Sequence, residues 1–216
     1  MLLSLRYKFL FVHIPKTGGT SIRVALRRYK WQDPYRIPLF FLSRLSSLSG
    51  HRLACKLPRH AKAIAAYEML PRDLYQKLFK FAFVRNPWDL QVSSFHHIRR
   101  ERPHLLAGVT DFESFLRTKL SRGRDYVYHF DVSIEPQSDY VADMHGNLIV
   151  DFIGRYEHFD RDFQEACTRI GILCPTLPHR RKATDRSDYR KYYNDDTAQL
   201  IADYFKTDIE MFGYSF

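Results

Sequence analysis

The stretch FVHIPKTGGTS, Phe11 to Ser21, constrains this chain more than any other. The run YKFLFVHI (7–14) that leads into it is apolar, aromatic and branched, which predicts a buried strand. From Thr20 the apolar residues Ile22, Ala25, Leu26 and Tyr29 fall at i, i+3, i+4 and i+7, the spacing of one helix face. A strand therefore enters a turn containing Pro15, Lys16, Gly18 and Gly19 and leaves it as a helix. The wider N-terminal segment MLLSLRYKFLFVHI is apolar, but Arg6 and Lys8 interrupt it and no small-residue cleavage site follows. It reads as a first strand rather than a signal peptide or membrane anchor, so no transmembrane segment is expected.

The same alternation continues along the chain. KFAFVR (80–85) predicts a second buried strand and NPWDLQVSSFHHI a helix, with Asn86 placed to cap it and Pro87 at the first helical position. TDFESFLRTKL (110–120) opens with Thr110 and Glu113 in capping-box register. Residues 138–157 read as two strands turning at His145–Asn147. Residues 160–171 predict a helix ended by Gly171, and 194–205 one capped by Asn194. The expected fold class is α/β, a central, mostly parallel sheet flanked by helices on both faces, in a single domain over 1–216. Segment 32–58 shows no clear period and reads as an insertion or lid.

In open α/β sheets, ligands bind beyond the carboxyl ends of the strands, where loops enter helices. A helix start presents amide hydrogens and a positive dipole end, which favour an anion. Gly18 and Gly19 let backbone approach an oxyanion with no Cβ in the way. Lys16 adds a point charge, and Thr20 and Ser21 add hydroxyls. The chemistry that fits is a phosphate or similar oxyanion held at 17–21, although a tight turn with a surface lysine uses the same residues. The nucleotide-triphosphatase pattern of a glycine, four residues, then Gly-Lys-Ser/Thr fails here, because the lysine precedes the glycines. That failure counts against a nucleotide kinase or triphosphatase.

Charge points the same way without choosing a partner. Lys and Arg number 34 against 24 Asp and Glu, a net charge of +10, which calls for an anionic partner. A nucleic-acid-binding module would stripe those charges along one element beside stacking aromatics. Here they are spread, with the densest run in HRRKATDRSDYRKYY (179–193), so no nucleic-acid partner is expected. The three cysteines, Cys55, Cys167 and Cys174, have neither metal-ligand nor disulfide-framework spacing, which suits reduced thiols and a cytoplasmic setting.

HIPKTGGTS resembles the 5′-phosphosulfate loop of the sulfotransferases that use 3′-phosphoadenosine 5′-phosphosulfate (PAPS), in the branch of carbohydrate sulfotransferases and small bacterial homologues. FKFAFVRNPWDLQVSSF (79–95) is similar to that family's 3′-phosphate motif, an arginine ending a strand with a serine eight residues on. DFIGRYEHFDRDF and DIEMFGYSF resemble its later landmarks, so the likeness covers most of the chain. It implies a P-loop-kinase-like sulfotransferase fold, PAPS as donor, 3′-phosphoadenosine 5′-phosphate (PAP) as product, and no metal. It further implies that Lys16, Thr17, Gly18, Gly19, Thr20 and Ser21 hold the phosphosulfate, while Arg85 and Ser93 hold the 3′-phosphate. Ser93 lies seven residues after Asn86, about two helical turns, and so faces back toward the strand–helix junction. Arg180, Arg181 and Lys182 match a late loop that closes over the nucleotide. Lys16 would stabilise the leaving oxygen, and His60, in CKLPRHAKA, matches the position of the catalytic base. His13 is its rival, expected instead to be structural and to bond the loop backbone. The implied acceptor is a hydroxyl of a carbohydrate or polysaccharide.

Overall fold

The computed structural model describes residues 1–49, 57–178 and 187–216. Four strands are present, β1 (Leu2–Ser4), β2 (Phe9–Val12), β3 (Phe79–Val84) and β4 (Phe152–Arg155). The helices, in chain order, are α1 (Gly19–Ala25), α2 (Arg27–Trp31), α3 (Arg36–Ser49), α4 (Ala63–Met69), α5 (Arg72–Lys77) and α6 (Pro87–Glu101). They continue with α7 (Phe112–Leu120), α8 (Tyr128–Asp131), α9 (Ser138–Val141), α10 (Phe159–Ile170), α11 (Asp195–Tyr204) and α12 (Lys206–Phe212). The chain divides into two compact units.

The first unit comprises Met1–Ile14, Gly18–Val84 and Asp139–Arg180. Its sheet has the order β1-β2-β3-β4. β2, β3 and β4 run parallel, with Val12 beside Ala82 and Val84 beside Arg155, and β1 is an antiparallel edge. The N-terminal segment is thus two strands rather than one. Its turn is fixed by the Asp33 carboxylate, which accepts from Ser4 Oγ (2.8 Å), Leu5 N (2.6 Å) and Arg6 N (3.1 Å). Alternation along β2 and β3 sends Phe9, Phe11, Phe81 and Phe83 to one face, where Ile22, Leu26, Phe163 and Cys167 of the helical layer bury them. Gly154 on β4 admits the Phe83 ring, which a Cβ there would meet at 2.6 Å. The expected helix face Ile22, Ala25, Leu26, Tyr29 is buried throughout, across α1 and α2. On the opposite face Lys80 Nζ donates to Leu78 O (2.7 Å) and lies over the Tyr75 ring of α5 (5.0 Å).

One expectation is corrected in this unit and another is extended. Segment 32–58, read as an insertion or lid, contains a helix, α3, with the sequence RIPLFFLSRLSSLS. Pro38 falls in its first turn, where the missing N–H has no intrahelical role. The two strands expected over 138–157 reduce to the short helix α9, one isolated bridge, Ala142 to Leu148, and β4. The cause is local. Asp143 Oδ1 accepts from His145 N (2.8 Å) and Asn147 N (2.9 Å), closing a tight turn through Gly146.

The second unit comprises Pro15–Thr17, Arg85–Ser138 and Arg181–Phe216. Its helices pack on Trp88, Val92, Phe95, Phe112, Phe115 and Ile201. Asn86 caps α6 as expected, Oδ1 accepting from Trp88 N (3.0 Å) and Asp89 N (3.3 Å). Asn194 caps α11 through Thr197 N (2.8 Å). At α7 the capping box sits one residue later than expected. Asp111 Oδ1 accepts from Ser114 N (2.7 Å), and Ser114 Oγ accepts from Asp111 N (3.0 Å).

Candidate functional site

The turn after β2 is shaped by two glycines that have no room for a side chain. Gly18 has φ +79°, and a Cβ on it would meet the Phe159 ring at 2.6 Å. A Cβ on Gly19 would fall 2.1 Å from Cδ2 of His13. The glycines therefore admit two rings of the protein as well as leaving backbone bare, a role invisible in the sequence. No side chain caps α1 and no acidic residue stands in its first turn, so this end keeps its positive potential.

His13 and His60 lie side by side in the first unit, ring centroids 4.5 Å apart. His60 Nδ1 is 3.0 Å from the His13 carbonyl oxygen. A carbonyl only accepts, so Nδ1 carries the hydrogen and Nε2 keeps its lone pair. Burial holds the His60 pKa below the usual histidine value against the raising effect of that carbonyl, and nearby Arg59 lowers it further. The ring is thus neutral at pH 7, in the tautomer of a base acting through Nε2. His13 is buried, and that burial, with His60 and Arg59 alongside, pushes its pKa far down. It stays neutral and is a weak base. His13 Nδ1 accepts from Arg59 Nε (3.3 Å), so its ring bonds this arginine and packs on Gly19, while its carbonyl orients His60.

Arg59 was not singled out by the sequence, although it stands next to His60. Its Nη2 donates to Thr20 Oγ1 at 2.9 Å. That bond occupies an acceptor position of the hydroxyl and leaves its hydrogen to donate elsewhere. The first unit thus gathers Gly18, Gly19, Thr20, Ser21, Arg59 and His60 around one strand end.

The second unit holds the other half of the predicted residues. Lys16 takes the left-handed conformation with φ +67°, and Thr17 after it is buried. Arg85, which follows the last residue of β3, is also buried. Its Nη1 donates to the Lys16 carbonyl (3.1 Å) and its Nε to Asp89 Oδ2 (2.7 Å). Two motifs 69 residues apart in sequence therefore meet within this unit. Ser93, half-buried on α6, stands one turn beyond Asp89, on the same helix face. Asp89 is a second residue that sequence reasoning missed; its spacing four after Arg85 was the available signal. Arg180, Arg181 and Lys182 lie outside the described residues.

Among the described residues, no helix is long and apolar enough to cross a membrane, and no three His, Cys, Asp or Glu side chains are grouped to hold a metal ion. No curated protein sequence matches the chain. A solved structure of mouse sulfotransferase SULT7A1, crystallised with PAP, is similar at 19% identity, covering 96% of this chain and 85% of its own, with a TM-score of 0.48. The sequence profile of the sulfotransferase family matches residues 1–215. On that match the chain belongs to the sulfotransferase family.

Proposed function

We propose that this enzyme transfers the sulfuryl group of PAPS to a hydroxyl of a carbohydrate or polysaccharide, with His60 as base and Lys16 at the leaving oxygen. The observation that carries the reading is the hydrogen bond from Arg85 Nη1 to the Lys16 carbonyl. It joins the motif assigned to the 3′-phosphate with the motif assigned to the 5′-phosphosulfate.

His60 Nε2 takes the acceptor's hydroxyl proton. The acceptor oxygen attacks sulfur in line as the bond from sulfur to the bridging oxygen breaks, giving a sulfate ester and PAP. Negative charge grows on that bridging oxygen, and the Lys16 ammonium stabilises it more in the transition state than in the ground state. Gly18, Gly19, Thr20 and Ser21 hold the phosphosulfate oxygens through amides and hydroxyls, with Thr17 beside them. Arg85 and Ser93 hold the 3′-phosphate, and Arg180, Arg181 and Lys182 close over the nucleotide. The carbohydrate preference rests on the branch that HIPKTGGTS resembles. A cytoplasmic setting is supported by the odd, widely spaced set of three cysteines in the sequence.

Calorimetry with PAP in the absence of magnesium tests the donor assignment, and binding that requires magnesium and ATP instead would sink it. Labelled PAPS offered to a panel of saccharides, small alcohols and lipids tests the acceptor class. Label on lipids alone would overturn the carbohydrate assignment.

A further inference from the structure

The backbone of Arg85 lies just past the last residue of β3 and is buried, so its N–H and C=O require partners inside the protein. A single side chain supplies both. Gln137 Oε1 accepts from Arg85 N at 2.8 Å, and Gln137 Nε2 donates to Arg85 O at 2.8 Å. The carboxamide thus stands in for a neighbouring strand at one residue. Gln137 is itself fixed by a buried carboxylate on α12. Asp208 Oδ2 accepts from Gln137 N (2.8 Å) and Gln137 Nε2 (3.4 Å), and Asp208 Oδ1 from Ser138 N (2.8 Å) and Ser138 Oγ (2.7 Å). Arg85, Gln137 and Asp208 are 4%, 1% and 0% exposed. All belong to the second unit.

We infer that Gln137 is a positioning residue for Arg85, anchored by Asp208, and that it sets the enzyme's selectivity for a nucleotide bearing a 3′-phosphate. The inference rests on the assignment of Arg85 to that phosphate. Bonding both main-chain groups fixes the direction in which the Arg85 side chain leaves the backbone. Asp89 and the Lys16 carbonyl then hold the guanidinium itself. A carboxamide is suited to the task because it offers one donor and one acceptor in a plane, matching the peptide groups on either side of Arg85. Two bonds to one residue allow less angular play than one, and misplacement of a charged ligand weakens recognition steeply. A glutamine buried solely for packing would not need its two polar ends aimed at the two main-chain groups of one residue.

The test compares PAP with adenosine 5′-monophosphate, which lacks the 3′-phosphate, by titration calorimetry on the full chain. Wild type binds PAP more tightly. Arg85→Met lowers PAP affinity about 10–100-fold, the range for a lost charged hydrogen-bonding group, and leaves the monophosphate within about 2-fold. Gln137→Met, of similar size but without the two polar ends, lowers PAP affinity about 10-fold and also spares the monophosphate. In the double variant Gln137→Met adds nothing to Arg85→Met. Gln137→Asn keeps the carboxamide but draws it back by one methylene from Arg85 N and O, and makes the same comparison if the methionine variant does not fold. Equal loss of both nucleotides, an unchanged PAP preference, or additivity in the double variant overturns the positioning role. If Arg85→Met itself leaves the preference intact, the 3′-phosphate assignment fails, and the inference goes with it.

Discussion

The chain turns from strand to helix at two candidate sites, and the two turns are finished in opposite ways. After β3, Asn86 caps Trp88 N and Asp89 N, Pro87 removes a further donor, and the acidic Asp89 stands in the first turn. That helix end is neutralised by its own side chains and has little left to offer an anion through its backbone. After β2, no side chain caps α1, no acidic residue follows, and the glycines keep Cβ atoms away. The first turn leaves its main chain open, whereas the second carries one buried guanidinium, Arg85. The two turns thus differ in kind, one leaving its amides bare and the other presenting a guanidinium.

Substitutions can break this contrast in graded steps. Lys16→Ala removes the charge that completes the open turn, and kcat should fall about 10³-fold with the fold intact by circular dichroism. A residual rate near wild type would detach the turn from catalysis. His60→Ala should lower kcat about 10²-fold while the PAP dissociation constant stays within about 2-fold. In wild type, kcat/KM should hold constant as pH drops through the usual histidine value and fall only at lower pH. The reason is that burial depresses the His60 pKa, so the neutral base persists into acid. A limb centred above the usual value would assign it to another group. Gly19→Ala forces a methyl group into the His13 ring and should destabilise the protein by about 1–3 kcal/mol in urea unfolding, weakening PAP binding as well. Asn86→Ala, at the closed turn, should cost only about 1 kcal/mol of stability and spare the His60-dependent rate profile. If that variant proved as damaging to turnover as Lys16→Ala, the two turns would not differ as described.

Features governed by neighbours in sequence were legible, and features governed by distant contacts were not. The Asn86–Pro87 start of α6 and the buried face of α1 and α2 were readable because caps and periodicity act within one or two turns. The capping box at Asp111 was placed one residue early because Thr110 and Asp111 both offer an oxygen, and only the backbone chooses. The turn at His145–Asn147 was legible from its own residues, but the strand before it was not, since Ser138–Val141 is helical and only the bridge from Ala142 to Leu148 forms. At the site, the loop and Arg85 were visible as motifs. The reason for Gly19 was not, because it is the His13 ring, and neither was Gln137, whose partner Arg85 is 52 residues away.

Lys16 is a non-glycine residue held in a left-handed conformation, which costs the fold on the order of 1 kcal/mol relative to glycine. Lys16→Gly should therefore relax that strain, offset in part by the greater backbone freedom of glycine in the unfolded chain, while turning over almost no donor. A search for sturdier variants, scored on melting alone, would not register the loss of the proposed catalytic lysine.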